Sequence, residues 1–275
     1  LHPPIVAGAG VRWPNCAKGR SALGYSQAVM SETKPSSLSP EIIAPALNVQ
    51  RIQAITIDLD DTLWPVWPTI TRAEGVLAQW LKEHAPNTAA SFPDARSLRA
   101  IREKVEAERP EIRHDLSAMR RESIREALTQ SGDDPALADP AFELFFAERQ
   151  RVDLFDDALA ALEFLAARYP VVALSNGNAD IHRVGIGRYF KGAFSASQFG
   201  VGKPDARIFH AAAASVHAQP EAVLHVGDDA HLDVFGALQA GMQAAWINMQ
   251  VQPVEPERQP HVNVQSLTQL CDLLR

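Results

Sequence analysis

Asp58, Asp60 and Asp61 close the segment IQAITIDLDDTL (52–63), an apolar run with the length and composition of a buried strand, and Thr62 follows them. Carboxylates crowded at the end of an apolar segment repel one another and lose solvation, so a positive partner is expected, most simply a divalent cation. Three further clusters each follow an apolar stretch: Ser175 and Asn176 after VVAL, Lys203 in GVGKPD, and Asp228, Asp229 and Asp233 in GDDAHLD. Acids, a hydroxyl, an amide and one lysine at successive strand ends suit Mg²⁺-assisted phosphoryl transfer.

In that chemistry Asp58 is the candidate nucleophile, its carboxylate attacking phosphorus to give an aspartyl phosphate. Asp60, two residues on, is placed to protonate the leaving alkoxide and then to activate water. Ser175 and Asn176 are candidate donors to phosphate oxygens, and Lys203 is expected to neutralise charge on both phosphate and nucleophile. Asp58, the main-chain carbonyl of Asp60 and Asp228 suffice as Mg²⁺ ligands, because this ion keeps several waters in its octahedral shell. Thr62, Asp229 and Asp233 are expected behind them, the two aspartates holding ligated water or Lys203.

Each cluster also has a plainer reading: an acidic turn, a polar strand exit, a solvated lysine, a pair of helix N-caps. Sharper competitors fail on position. An EF-hand loop needs Gly at its sixth place and an acid at its twelfth, where Leu63 and Thr69 stand. A P-loop ending at Gly202-Lys203 would need Gly and Ser or Thr where Ser197 and Pro204 stand. ALSNG (173–177) is one residue from a nucleophile elbow, with His225 and His231 downstream, but a serine triad has no use for DLDDT. Without an HExxH-type helix, both histidines read as packing or surface residues. The conjunction of all four clusters, in order, carries the phosphoryl-transfer reading.

Those residues need a scaffold. Ile70, Ala73, Val76, Leu77, Trp80 and Leu81 recur at helical spacing, as do Leu98, Ile101 and Val105, then Ile112, Leu116, Met119 and Ile124. This predicts an all-α block over 66–152. Beyond it, helices near 156–168, 179–190, 204–217 and 232–240 alternate with strands at 170–175, 193–197, 222–227 and 243–247. Such alternation means an α/β fold, a Rossmann-like parallel sheet with helices on both faces, binding ligands beyond the carboxyl ends of its strands. The core is then 51–65 with 153–275, and the helical block is an inserted cap overhanging the crevice. Residues 1–50 lack hydrophobic periodicity and include the linker-like SETKPSSLSP (31–40); they are expected to be a disordered or loosely docked extension, with Met30 a candidate natural start.

The 275 residues carry 26 Lys+Arg against 33 Asp+Glu, a formal charge of -7, so no general attraction to nucleic acid or an anionic membrane is expected. The expected partner is a phosphorylated small molecule held in a local basic pocket. Cys16 and Cys271 match no CxxC or zinc spacing, which suits a reducing compartment. No apolar run approaches the roughly 20 residues of a membrane span, and Ile5 to Val11 has no preceding Lys or Arg, so a cytoplasmic protein is expected.

With these motifs, the chain over about 52–249 resembles the haloacid dehalogenase-like hydrolase superfamily, whose four motifs match DLDDT, LSN, GKP and GDDAHLD. The resemblance implies a Rossmann-like core, an aspartyl-phosphate intermediate, Mg²⁺ and a helical C1-type cap between the first two motifs. The eponymous dehalogenases lack the second aspartate of the first motif, so Asp60 implies a phosphatase. Residues 109–128, NGN after Ser175 and HVGDDAHLDVFGALQAGMQAAWIN look closest to bacterial YigB-like flavin mononucleotide phosphatases, which also act on 5-amino-6-(5-phospho-D-ribitylamino)uracil in riboflavin synthesis. Arg113, His114 and Arg120 are the cap-side candidates for polar substrate contacts, and Trp64 and Trp67 are expected to pack the core-cap hinge. A sugar-phosphate phosphatase, a phosphomutase and a non-catalytic metabolite-binding module on the same fold are the alternatives; having both Asp58 and Asp60 argues against the last.

Overall fold

The computed structural model describes residues 46–254 and 259–275. Most of the predicted extension, residues 1–45, lies outside them. The stretch at 46–50 is tied to the body: Asn48 N–H donates to Gln243 Oε1 at 2.7 Å, and Gln243 Nε2 donates to the Asn48 carbonyl at 3.2 Å.

Six parallel strands form one sheet: β1 (Ala54–Ile57), β2 (Val171–Ser175), β3 (Gly192–Ser195), β4 (Val223–Gly227), β5 (Gln243–Ile247) and β6 (Val262–Val264), in the order β3-β2-β1-β4-β5-β6. Every residue of β1, β2, β4 and β5 is buried, as the near-continuous apolar runs of a parallel sheet covered on both faces require. β6 was not expected, since its sequence VNV is too short to carry a periodic signal. In the register, Ile57 stands beside Ala173 on one side and Val226 on the other, so the carboxyl ends of three strands finish close to one level. That level edge is where Asp58, Ser175 and Asp228 emerge.

Between β1 and β2 run α1 (Val66–His84), α2 (Pro86–Ser91), α3 (Ala95–Glu108), α4 (Leu116–Ser131) and α5 (Ala138–Arg149). A sixth helix, α6 (Ala158–Ala166), leads into β2, and after β2 come α7 (Ile181–Val184), α8 (Ala196–Phe199), α9 (Ala206–Ser215), α10 (Gly236–Gln239) and α11 (Leu267–Leu273). Leu162 and Leu165 of α6 and Leu267 and Leu270 of α11 pack with Ile55, Ile57, Val171 and Ala173; Ile208 and Phe209 of α9 pack with Ala54, Val172 and Leu174. The alternation of β1 residues between the two clusters is the period of two that sends successive side chains to opposite faces. At about 1.5–3 kcal/mol for each large side chain, these two layers fix the strands that present the acids.

Helices α1 to α5 bury a separate cluster, Ala73, Leu77, Leu81, Leu98, Ile124, Leu128, Phe142 and Phe145. Their ends are set locally. Asp94 and Ser97 form a capping box at α3, Asp115 accepts the Ser117 and Ala118 N–H groups at the start of α4, and Gly132 ends α4 at φ 76°.

Several predicted elements are shorter than their periodicity suggests. Gly185, at φ 92°, stops α7, so the helix expected over 179–190 is four residues followed by a 3₁₀ turn. The strand expected over 193–197 ends at Ser195, whose hydroxyl caps α8. The helix expected at 232–240 opens with a π-helical turn, Ala230–Phe235, before α10. Among the described residues no helix is long and apolar enough to cross a membrane.

Candidate active site

The chain leaves β1 through a tight loop that returns on itself at Asp60 and Trp64. Asp61 N–H donates to the Trp64 carbonyl at 2.8 Å and Asp61 Oδ1 accepts the Val66 N–H at 2.9 Å; Asp61 sits at φ 58°, a left-handed conformation that Asp tolerates better than most residues. The turn sends Asp58 and Asp60 different ways.

Asp58 is buried and meets the buried Lys203, whose Nζ donates to Oδ1 at 2.5 Å and to Asp233 Oδ1 at 2.6 Å. Thr62 Oγ1 donates to Asp58 Oδ2 at 3.4 Å and Asp228 Oδ1 at 3.2 Å. Asp233 also takes His225 Nε2 at 3.0 Å and the Asp229 N–H at 3.0 Å. Asp58, Asp228 and Asp233 can each offer one carboxylate oxygen with all three within 4.8 Å of one another.

One ammonium does not balance three carboxylates here. Burial, and behind it the Asp233 and Asp228 charges, raise the Asp58 carboxyl well above the usual carboxylate range although Lys203 pulls it down. Burial, Asp233 and Asp61 push Asp228 up to about 7. Burial disfavours the Lys203 ammonium, yet Asp233 and Asp58 outweigh it and raise its pKa; burial likewise works against Asp233, which Lys203 and His225 nonetheless hold low. His225 is pushed down by burial against the pull of Asp233, which leaves it a neutral bridge between Thr56 Oγ1, at 2.8 Å, and Asp233. With His225 neutral, three carboxyl groups share one ammonium, and the raised Asp58 and Asp228 carboxyls mark negative charge that the protein itself does not offset among hard oxygen donors, a donor set that fits Mg²⁺.

Asp60 points toward the helices. Arg149 Nη2, from the end of α5, donates to its two oxygens at 2.6 and 2.7 Å, and the buried Trp64 Nε1 donates to Oδ1 at 2.8 Å. A Cβ at Gly177 would overlap Asp60 Oδ2, so a glycine is needed where the loop after β2 passes this carboxylate. Neither Arg149 nor Trp64 was expected as a partner of Asp60.

Ser175 is buried at the end of β2, where its Oγ accepts the Gly177 N–H at 2.9 Å and keeps its own hydrogen to donate. Asn176, which also lines the cleft, has a structural task besides the expected one. Its Nδ2 donates to the Lys203 carbonyl at 2.8 Å and its Oδ1 accepts the Lys203 N–H at 2.7 Å, so the amide anchors the lysine loop across 27 residues. Asp229 is likewise a cap: Oδ1 accepts the His231 and Leu232 N–H groups, each at 2.7 Å.

These groups line a cleft of about 940 Å³, with Asp58, Ser175, Lys203 and Asp228 from the sheet edge and Arg113, His114 and Leu116 from the helical side. Arg120 does not line it. The residue is buried, with its guanidinium 3.4 Å from Glu74 Oε1 and stacked over Phe145, because a carboxylate on α1 neutralises it inside the helical layer. Trp64 is wholly buried, whereas Trp67 is 61% exposed with the Arg99 guanidinium 5.4 Å from its ring centroid, so it does not pack a hinge. His231 is exposed and stacks on Phe235.

Comparison with known proteins places this geometry. A family model described as haloacid dehalogenase-like hydrolase matches residues 52–241. The chain is 34% identical over 232 residues, 82% of this chain and 97% of the relative, to the 5-amino-6-(5-phospho-D-ribitylamino)uracil phosphatase YigB of Escherichia coli (strain K12). It is 35% identical over 153 residues, 54% of this chain and 61% of the relative, to the phosphoserine phosphatase of Thermus thermophilus. Among solved structures, the 2-haloacid dehalogenase of Pseudomonas syringae pv. Tomato DC3000 superposes with a TM-score of 0.76 at 38% identity, covering 81% of this chain and 98% of that one. The chain belongs to the haloacid dehalogenase-like hydrolase family.

Proposed function

We propose that the protein is a Mg²⁺-dependent phosphatase of the cytoplasm that hydrolyses small phosphate monoesters through an aspartyl phosphate on Asp58. The observation that carries this reading is the divergence of two carboxylates from one turn: Asp58 sits on Lys203 at 2.5 Å, and Asp60 is held by Arg149 at 2.6 Å. Asp58 attacks phosphorus while Asp60 gives a proton to the departing alkoxide; Asp60 then takes a proton from the water that opens the acyl phosphate. Lys203 and the Ser175 hydroxyl meet the charge on the phosphoryl oxygens. Asp58 and Asp228, with the Asp60 carbonyl, would hold the magnesium ion, which when bound supplies the neutralising charge that the acidic cluster lacks. The helices over 66–152 act as the cap that reads the rest of the substrate.

The likeness to a 2-haloacid dehalogenase suggests a second reading, that Asp58 displaces a halide. A halide leaves as a stable anion and needs no proton donor, whereas an alkoxide does, so Asp60 favours the phosphate ester. The likeness to YigB over 97% of that protein supports 5-amino-6-(5-phospho-D-ribitylamino)uracil as the substrate, and flavin mononucleotide and a role in riboflavin synthesis belong to the same proposal. Phosphate release from a panel of these two, pyridoxal phosphate and sugar phosphates, with and without Mg²⁺, tests the proposal. Turnover that needs Mg²⁺ and falls by at least about 10⁴-fold in Asp58→Asn is expected. Full activity in Asp58→Asn removes the nucleophile assignment, and transfer of phosphate back to a sugar instead of release makes the protein a mutase.

A further inference from the structure

Beside the large cleft lies a smaller pocket of about 190 Å³ that shares Asp60 and Gly177 with it. Four guanidinium groups line this pocket, those of Arg99, Arg102, Arg120 and Arg149, against the carboxylates of Glu74 and Asp60. Arg99 and Arg120 both bind Glu74, at 2.6 and 3.4 Å. Arg149 uses Nη2 on Asp60, and its Nη1 is buried with no hydrogen-bond partner. Arg102 has no ion pair or hydrogen bond among the described residues. Burial, and then the charge of Arg102, depress the Arg120 guanidinium to about 10 despite its contact with Glu74. Two positive charges are therefore unmatched in a small, partly desolvated space, and an unsatisfied buried guanidinium N–H adds to that cost.

We propose that this pocket binds a carboxylate carried on the leaving group of the phosphate ester, making Arg102 a specificity-determining residue. The inference rests on the phosphatase reading and extends it beyond flavin-related esters to phosphates of hydroxy acids. A planar pair of oxygens matches the fork of a guanidinium, and the volume suits a carboxylate with a short spacer. The leaving group must pass this wall, because Asp60, which protonates its oxygen, lines both spaces.

Two esters that differ only in a carboxylate for a hydroxymethyl group, 3-phosphoglycerate and glycerol 3-phosphate, test it. Their dissociation constants are measured by calorimetry with Mg²⁺ on Asp58→Asn, which retains bound ester, and on Asp58→Asn with Arg102→Gln. About tenfold tighter binding of 3-phosphoglycerate is expected in the first protein and near parity in the second. Equal binding of the two esters by Asp58→Asn, or a preference that survives the loss of Arg102, overturns the subsite. Phosphate release by the unsubstituted enzyme is followed separately: its absence for every ester overturns the phosphatase reading, while the binding comparison still decides the pocket.

Discussion

The edge of the sheet and the helical layer facing it have opposite charge imbalances. At the sheet edge three carboxylates, Asp58, Asp228 and Asp233, gather around the single ammonium of Lys203. In the helical layer three guanidinium groups, Arg99, Arg102 and Arg120, gather around the single carboxylate of Glu74. Neither side neutralises the other, because Asp60 and Arg149 pair between them and are already matched. A buried excess of charge is costly unless a ligand completes it, so the sheet edge is built to receive a cation and the helical layer an anion. A phosphate ester entering with a metal ion satisfies both.

Removing the minority charge from either side breaks the comparison. Lys203→Met leaves three neighbouring carboxylates with no protein cation, and a loss of about 3–5 kcal/mol in the metal-free protein is expected from urea unfolding at pH 8. Addition of Mg²⁺ should recover more stability in this variant than in the parent. Glu74→Gln is the mirror experiment. It strands the buried Arg120, but Arg99 has 35% of its side chain exposed and can turn to solvent, so a smaller loss of about 2–3 kcal/mol is expected. Equal losses in the two variants would show that the imbalance is not greater at the sheet edge.

The sheet-edge cluster was legible in the sequence because Asp58 and Asp228 follow strands directly and Lys203 and Asp233 stand in the segments just beyond strand ends, and parallel strands in register bring such ends to one level. The helical layer was far less legible. Arg149 reads as an ordinary basic residue in the last turn of an amphipathic helix, yet it holds Asp60 across 89 positions of chain. Arg120 reads as a polar face of α4, and only the fold brings Glu74 from α1 to it, 46 residues away. The loop-anchoring contacts of Asn176 were hidden for a related reason. An amide at a strand end can serve a ligand or a neighbouring loop, and the choice depends on where the lysine loop passes. Residue type and local spacing suffice where partners come from adjacent strand ends, but a partner set by the packing of inserted helices has no local signature.

The smallest effect concerns pH. In the metal-free protein Asp228 is raised to about 7 by burial and by Asp233 and Asp61, whereas an aspartate in the unfolded chain titrates near 3.8. Between those values the folded state holds the proton that the unfolded state has released, so stability falls as pH rises through this window and levels off above it. Asp228→Asn cannot titrate, so the difference between the two proteins isolates this residue from the other groups. From pH 5 to pH 8 the parent should lose about 1–2 kcal/mol more than Asp228→Asn, measured by urea unfolding in a chelator. With saturating Mg²⁺ the extra loss should vanish, because the ion favours the ionised carboxylate. Parallel pH profiles in chelator would mean that the acidic cluster carries no excess charge at position 228, and the case for a cation there would fall with it.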